Sequence, residues 1–276
     1  FAMFGCSCCC ISSLVYLVGV VTILAKVIPY LRKLFVGKKP VELLEKNPKK
    51  DVVYLYQFPG TATSSSLSPF CVKVEAFCRL HNVKFERRNT FSARGANNLL
   101  PFIELNREHH ADSQIILKRL TQIFKLEAYP DAESAAIGHA VDRMLCNHTF
   151  NLIMHARKPV LDKVISVMAA SKVHSMLLPI LAAIGARLWA GKMTQRIAAS
   201  IGIFSDNEYE EMLKNDFTQL QTILGSKKFL VADDPTAVDC TAMGMFGSYY
   251  SIPSARTYPH ELIDSAEFAV LKAYIE

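Results

Sequence analysis

The sequence has no cysteines at the spacings of a disulfide framework or of a structural zinc site. Four of its eight cysteines crowd one end and four are scattered: Cys6, Cys8, Cys9, Cys10, Cys71, Cys78, Cys146 and Cys240. Regular pairs are typical of small secreted scaffolds, so their absence favours free thiols in a reducing compartment. His109 and His110 are adjacent rather than one helical turn apart. We therefore predict no metal site.

Basic motifs interleaved with aromatic residues are also missing, although the formal net charge is +6. Part of the positive charge lies in one block, at Lys26, Arg32, Lys33, Lys38, Lys39, Lys46, Lys49 and Lys50. A basic block next to an apolar run is typical of attraction to anionic lipid. We therefore predict no nucleic-acid partner.

Charged residues are absent from residues 1–25, and residues 11–24 are apolar apart from Ser12, Ser13 and Thr22. An uncharged run of about 20 residues can cross a bilayer as a helix. A cleaved signal peptide is the alternative, but no basic n-region or small-residue cleavage site stands out. We predict a membrane anchor over 1–35, contacting the membrane through 4–27, and a basic linker over 36–50. Positive charge follows the run, so the folded part should face the cytoplasm; the cysteines of residues 6–10 are candidates for acylation.

The pattern changes near residue 126. Before it, the sequence predicts a strand at 52–56, a helix from Ser68, a strand within 83–91, a strand at 102–105, a hairpin strand and a helix from Asp112. Beyond it, nearly everything is typical of helix, over 133–154, 172–203, 207–224, 236–250 and 261–275. We predict an α/β domain over 51–126 and an all-helical domain over 131–276. Residues 160–190 are apolar but carry charges, which favours a buried or partner-binding helix over a second membrane span.

Residues 99–116 form a compact candidate binding unit. Pro101 enters a short apolar strand, and Asp112 and Ser113 then open a helix. A proline at this place stands at the first residue of a strand or in a turn, sometimes after a cis bond. N-cap residues at a helix start leave backbone N–H groups available to an anion. The unit could therefore hold the carboxylate end of a small peptide; an ordinary strand, turn and capped helix is the alternative.

Ser68-Pro69-Phe70-Cys71 has the frame of a redox Cys-Pro-x-Cys motif with serine in the first place. Disulfide exchange needs the leading thiolate, so the motif excludes dithiol redox chemistry. A hydroxyl at that position can instead donate to a bound thiolate, and the helix N-terminus would favour that anion. The alternative is that Ser68 is only an N-cap and Cys71 only a small buried side chain.

Together these motifs resemble the glutathione transferase fold, which has a thioredoxin-like first domain and a helical second domain. Five motifs carry a closer resemblance: Tyr-Leu-Tyr-Gln-Phe-Pro at 54–59, Ser-Pro-Phe at 68–70, Leu-Pro-Phe-Ile-Glu-Leu-Asn at 100–106, Ala-Asp-Ser at 111–113 and Asn-His-Thr at 147–149. They are similar to motifs of the failed axon connections family, which includes the nematode cadmium-responsive proteins and is related to the metaxins.

The resemblance implies a glutathione site. Ser68 would occupy the thiol-activating place, and Leu100, before an expected cis-Pro101, would pair its backbone with the cysteinyl part of glutathione. Asp112 would meet the ammonium and Ser113 the carboxylate of the γ-glutamyl end. Aspartate is one methylene shorter than the glutamate or glutamine that is commoner at this position.

Other residues take smaller parts in the resemblance. Some transferase classes have a catalytic tyrosine on the first strand, but the distance of Tyr54 and Tyr56 from the helix start favours Ser68. Thr236 and Asp239 match a capping box of the helical domain, which is a folding element.

Two functions follow from the resemblance. The first is a membrane-anchored glutathione transferase-like protein that activates the glutathione thiol in detoxification or in a stress response, cadmium included. The second is a non-catalytic adaptor that binds protein partners through its helical domain, in an axon-connection or metaxin-like role. A homodimer would use the same domain. The sequence leaves open whether glutathione S-transferase catalysis is retained.

Overall fold

The first half of the fold is built on a four-stranded mixed sheet. The structure is a computed structural model that describes residues 41–61, 63–169, 178–250 and 252–276. The strands are β1 (Val53–Gln57), β2 (Phe85–Asn89), β3 (Phe102–Leu105) and β4 (Glu108–Ala111), in the order β2-β1-β3-β4. β2 runs parallel to β1, whereas β3 is antiparallel to β1 and β4 is antiparallel to β3.

Two helices, α1 (Pro69–Leu80) and α2 (Ser113–Phe124), pack on one face of this sheet. Side chains alternate between the faces of a strand, so Val53 and Leu55 of β1 join the cluster that contains Phe77 and Ile116 of these helices. Tyr54 and Tyr56 belong to a second buried cluster, with Phe102 of β3. Both faces of β1 are therefore buried, as its apolar and aromatic sequence predicts.

The predicted start of the first helix is confirmed. Ser68 has an extended backbone, with φ −95° and ψ 121°, and Pro69 is the first residue of α1. Proline suits this position because the first turn has no carbonyl partner for its missing N–H and its fixed φ is already helical.

The second half is helical, and its core is one cluster that includes Leu145, Leu213, Phe217, Phe246 and Phe268. Its helices are α3 (Ala132–Arg143), α4 (Phe150–Arg157), α5 (Leu161–Ala169), α6 (Leu178–Ile201), α7 (Asp206–Leu224), α8 (Ala237–Tyr250), α9 (Tyr258–Asp264) and α10 (Ala269–Ile275). α8 packs along α1 and so joins the two halves. The predicted order, an α/β part followed by a helical part, is confirmed.

Two predicted helices are interrupted. The helix predicted over 133–154 contains a π-helical turn, Met144–Thr149, between α3 and α4. The helix predicted over 261–275 breaks at Ser265, whose backbone is extended at φ −72° and ψ 156°. The hydroxyl of Ser265 donates to the carbonyl of Leu262, which gives the chain a local alternative to the next helical hydrogen bond. The spacing of apolar residues alone does not reveal where such a side-chain hydrogen bond competes with the helix.

The predicted location, a single-pass membrane protein with its folded part in the cytoplasm, is contradicted. Across the described ranges, no helix is long and apolar enough to span a membrane. The longest of them, α6, has 24 residues and carries Arg187, Lys192 and Arg196. The predicted anchor over 1–35 and the cysteines of residues 6–10 lie outside the described residues.

The last residues of the predicted linker contact the sheet. The backbone N–H groups of Leu44 and Glu45 donate to the two carboxylate oxygens of Glu104, each at 2.8 Å. Tyr56 Oη donates to the same carboxylate at 3.2 Å. These donors explain how Glu104, only 2% exposed, is accommodated in the middle of β3.

Candidate functional site

A cleft of about 480 Å³ lies between the start of α1 and the helices of the second half. From the α/β half it is lined by residues that include Ser68, Pro69, Leu99 and Leu100. From the helical half it is lined by α4, α5 and α6. Its size lies within the usual range for small-molecule sites, about 300–1,000 Å³. Two of the predicted site residues, Ser68 and Leu100, thus share one cleft.

Ser68 is half-buried, and its hydroxyl does not cap α1. The thiol of Cys71, one turn into the helix, is fully buried. Burial raises the pKa of Cys71 to about 11, against the smaller opposing effect of the Ser68 hydroxyl. Cys71 therefore stays protonated at neutral pH. The Ser68 hydroxyl itself borders the cleft.

The peptide bond between Leu100 and Pro101 is cis, as the sequence predicts. Leu100 is 8% exposed and lies on the cleft. Leu99, before it, is exposed and lines the same cleft. The backbone that precedes β3 therefore borders the space next to Ser68.

Asp112 and Ser113 are not among the cleft-lining residues. They are nevertheless close to Leu100 and Pro101 through the sheet, because β3 and β4 pair Phe102 with Ala111. The pairing ends there, because Asp112 has a φ of 82° and Ser113 is the first residue of α2. Pro101 and Asp112 therefore directly flank the same end of the paired strands β3 and β4.

Asp112 has a structural task at that position. Its carboxylate accepts hydrogen bonds from the backbone N–H of Gln114 at 2.9 Å and of Ile115 at 3.5 Å, so it caps α2. Asp112 is exposed and has a φ of 82°, in the left-handed region that aspartate and asparagine tolerate better than most residues. Ser113 is buried, 5% exposed.

The two tyrosines of β1 do not line the cleft. Tyr54 is 1% exposed, and its hydroxyl accepts a hydrogen bond from the backbone of Lys49. Burial, followed by the nearby charge of Glu104, raises the pKa of Tyr56 well above its usual value. Neither tyrosine hydroxyl is therefore available in the cleft. Of the three hydroxyls considered for thiol activation, those of Ser68, Tyr54 and Tyr56, only that of Ser68 borders the cleft.

Sequence reasoning missed the half of the cleft that comes from the helical part. It includes Phe150, Met154, Arg157, Trp189, Lys192 and Arg196. Trp189 is the only tryptophan in the sequence, but a single tryptophan does not by itself indicate a binding site. These residues lie more than eighty positions after Ser68, and no local pattern connects them to it.

Metal ligands do not cluster in the described part of the chain. No group of three or more histidine, cysteine, aspartate or glutamate side chains there could hold a metal ion. The four cysteines in that part, Cys71, Cys78, Cys146 and Cys240, are free and buried.

The family comparisons agree with this geometry. The family model of the glutathione S-transferase N-terminal domain matches residues 69–163. Failed axon connections of Drosophila melanogaster is 34% identical to this chain over 226 residues, which are 77% of this chain. The predicted resemblance to the failed axon connections family is confirmed. The chain spans about half of that relative, 54% of its length. These matches do not bear on the nematode cadmium-responsive proteins or the metaxins, so that part of the resemblance stays a prediction.

Solved structures support the fold. A glutathione S-transferase of Ceriporiopsis subvermispora, in complex with glutathione, superposes with a TM-score of 0.54 over 81% of this chain and 95% of its own, at 14% identity. Glutathione transferase GSTFuA3 from Phanerochaete chrysosporium superposes with a TM-score of 0.53 over 82% and 96%, also at 14% identity. At these identities the likeness establishes the glutathione transferase fold alone.

Proposed function

We propose that this chain binds glutathione beside the start of α1 and activates its thiol for attack on an electrophile. The observation that supports this most is the shared cleft of Ser68 and Leu100 at a helix N-terminus. Donation from the Ser68 hydroxyl would stabilise the thiolate, and the N-terminal end of α1 would favour the same negative charge.

The other predicted residues complete the proposed glutathione site. The backbone of Leu100, before the cis bond to Pro101, pairs with the cysteinyl part of glutathione. Asp112 meets the ammonium group and Ser113 the carboxylate of the γ-glutamyl end. The pairing of Phe102 with Ala111, which puts Pro101 and Asp112 at the same end of β3 and β4, supports this assignment. The proposal includes a role in detoxification or stress response, cadmium included, and the domain boundaries 51–126 and 131–276.

The test is a titration of the purified full chain with glutathione, followed by a conjugation assay with an electrophilic aryl halide. We expect millimolar or tighter binding and measurable conjugation. Ser68→Ala should lower the conjugation rate about 10²-fold and move the pH profile to higher pH, because a stabilising donor to the thiolate is lost. Ser226→Ala, which removes an exposed hydroxyl outside the cleft, is the matched control. Absence of binding at millimolar glutathione would refute the proposal, and unchanged turnover in the Ser68 variant would remove this role from Ser68.

A second candidate, the non-catalytic adaptor, is favoured by one observation. α6 exposes an apolar stripe formed by Ile180, Ile184 and Leu188, which are 60%, 54% and 68% exposed. Contiguous exposed apolar side chains often mark protein–protein interfaces. A second copy of this chain is the occupant to test first, since a homodimer through the helical part was also predicted.

Sedimentation of the full chain tests this second candidate. Self-association that Ile184→Glu abolishes would support an interface on α6, and Ile123→Glu, the same substitution at an exposed position of α2, controls for the added charge. A monomer at all concentrations would exclude the second copy as the occupant. Self-association without glutathione binding would favour the adaptor over the enzyme.

A further inference from the structure

A buried carboxylate lies on β3, three residues after Pro101. It belongs to Glu104, which is 2% exposed. In the described part of the chain no lysine or arginine pairs with it; it accepts hydrogen bonds from the backbone N–H groups of Leu44 and Glu45, both at 2.8 Å, and from Tyr56 Oη at 3.2 Å. A buried carboxylate is costly without donors, so Glu104 depends on a segment that precedes the first strand.

We call that segment, residues 43–51, the strap. Polar contacts hold it: Glu45 pairs with Arg88 of β2 at 2.8 Å, and the backbone N–H of Lys49 donates to Tyr54 Oη at 2.9 Å. No residue of the strap is buried, so apolar packing contributes little to holding it against the sheet. Partly exposed ion pairs and single hydrogen bonds contribute only modestly, so the strap should open at a lower free energy than the rest of the fold.

The strap is connected to the proposed glutathione site through one packed cluster. The buried members of this cluster are Tyr54, Tyr56, Cys71, Leu100 and Phe102. The hydroxyls of both tyrosines are bound, one by the strap itself and one by the carboxylate that the strap binds. The ring of Tyr56 stacks on that of Phe102, with centroids 4.4 Å apart. Leu100 borders the cleft beside Ser68, so the cluster extends from the strap to the wall of the cleft.

We propose that Glu104 is a positioning residue for glutathione and that it acts through the strap. With the strap closed on its carboxylate, β3 and the backbone of Leu100 stay in the position that glutathione requires. When the strap opens, Glu104 loses two donors, and the cluster that contains Leu100 and Cys71 loosens. A closed strap and bound glutathione therefore favour each other. The effect on glutathione rests on the proposed function, whereas control of the cluster by the strap does not.

Cysteine alkylation tests control of the cluster without any glutathione. Cys71 belongs to the cluster under the strap, whereas Cys78 belongs to the cluster that α1 and α2 form with the sheet. We would alkylate the full chain with iodoacetamide and follow each cysteine by mass spectrometry. Glu104→Gln leaves one acceptor oxygen for two strap N–H groups, so we expect Cys71 to react about tenfold faster and Cys78 at an unchanged rate. Glu108→Gln, at an exposed position of β4, is the matched control and should change neither rate.

A second variant breaks the same contact from the side of the strap. Leu44→Pro removes a backbone N–H that Glu104 accepts, and Leu44→Ala, at this exposed position, keeps it and is the control. We expect Leu44→Pro to act as Glu104→Gln does, and the double variant to react no faster than the faster single one, because both break one contact. Rates that multiply in the double variant would refute that contact. Unchanged alkylation of Cys71 in both variants, or equally faster alkylation of Cys71 and Cys78, would overturn the proposal.

The conjugation assay then tests the positioning role. We expect Glu104→Gln and Leu44→Pro to raise the KM for glutathione about fivefold and to change kcat less than about twofold, because Ser68 stays in place. Unchanged KM values in variants whose Cys71 reacts faster would refute the positioning role. A chain that binds no glutathione would refute the proposed function instead, and faster alkylation of Cys71 would still support control of the cluster by the strap.

Discussion

At the scale of single residues, Asp112 has two tasks that one substitution can separate. Its carboxylate caps α2, and in the proposed site it also meets the ammonium group of glutathione. Asparagine keeps an acceptor oxygen and tolerates the positive φ of this position, but it has no charge. The two functions of the side chain, one structural and one in binding, therefore respond differently to Asp112→Asn and Asp112→Ala.

We expect Asp112→Asn to preserve stability within a few tenths of a kcal/mol and to weaken glutathione binding about threefold to fivefold. Asp112→Ala should weaken binding equally and also lower the free energy of unfolding by about 1 kcal/mol, because the cap is lost. Calorimetric titration and urea denaturation measure the two effects. Glutathione binding that is unchanged in Asp112→Asn would restrict Asp112 to its structural role as a helix cap.

His260 gives the second prediction at this scale. It is 1% exposed and its ring stacks on that of Tyr249, with centroids 4.2 Å apart. Burial lowers the pKa of His260 to about 4, from 6.5. Between these values the unfolded chain binds a proton that the folded chain does not. This histidine should therefore reduce stability as the pH falls from 6.5 towards 4, and have no such effect above 6.5.

The size of this effect is about 2 kcal/mol between pH 6.5 and 5, since one pKa unit corresponds to about 1.36 kcal/mol. His260→Gln should flatten the pH dependence by that amount, even if it also lowers stability at neutral pH through lost packing. His139→Gln, at an exposed position, is the control and should leave the slope unchanged. Urea denaturation of the unsubstituted chain and of both variants at pH 5, 6 and 7 measures the dependence of stability on pH. Equal slopes in all three proteins would contradict the lowered pKa of His260.

At the scale of elements, the carboxylate of Asp142 on α3 is the meeting point of four helices. Lys73 Nζ of α1 lies 2.5 Å from Oδ1, Thr241 Oγ1 of α8 donates to Oδ1 at 2.7 Å, and Gln114 Nε2 of α2 donates to Oδ2 at 2.6 Å. Burial raises the pKa of Asp142, but the charge and hydrogen bond of Lys73, together with the hydrogen bonds of Arg143 and Thr241, outweigh this, and the net shift is downward. The network thus couples the α/β half to the helical half.

Asp142→Asn should be strongly destabilising. It leaves Lys73, which is fully buried, without its anion, and breaking one side of a buried pair costs about 3–5 kcal/mol. Because the pKa of Asp142 is lowered in the fold, its contribution is fully present above pH 4 and is lost as the pH falls through the lower folded pKa. Asp162→Asn, at an exposed position, should change stability by less than about 0.5 kcal/mol. Urea denaturation of both variants at pH 7 measures their free energies of unfolding. Similar values for the two variants would show that the network around Asp142 contributes little to stability.

The helices also show which contacts can be predicted from the sequence and which cannot. Ser205 and Glu208 have capping-box spacing, and the structure contains both hydrogen bonds of that box at the start of α7. The backbone N–H of Thr236 likewise donates to the carboxylate of Asp239, at 2.8 Å. Such signals are local, so one sequence suffices to find them. Lys73 is different, because its burial depends on a carboxylate 69 residues away. For the same reason the sequence identifies Ser68 as a candidate site residue but does not connect Arg157 with it.

At the scale of the whole molecule, the contact of α1 with α8 sets how the two halves meet at the cleft. Gly244 of α8 lies against the backbone of α1 at this contact. A Cβ atom there would lie 2.4 Å from the carbonyl oxygen of Pro69 and 3.1 Å from the backbone nitrogen of Lys73. Both atoms belong to the backbone of α1, so relief requires the helices to separate. Pro69 itself lines the cleft beside Ser68.

Gly244→Ala should therefore affect stability and binding together. We expect a loss of about 1–3 kcal/mol from overpacking, and weaker binding of glutathione because the start of α1 is displaced. Gly247→Ala is a close control, since Gly247 lies on the same helix and nothing lies within 4 Å of its added Cβ. It should be neutral or more stable by up to about 1 kcal/mol, since alanine is the better helix former. Urea denaturation and Trp189 fluorescence titration measure both effects. If the two variants behave alike, the position of α1 against α8 does not control the cleft, and Ser68 is fixed instead by the sheet and the loop before it.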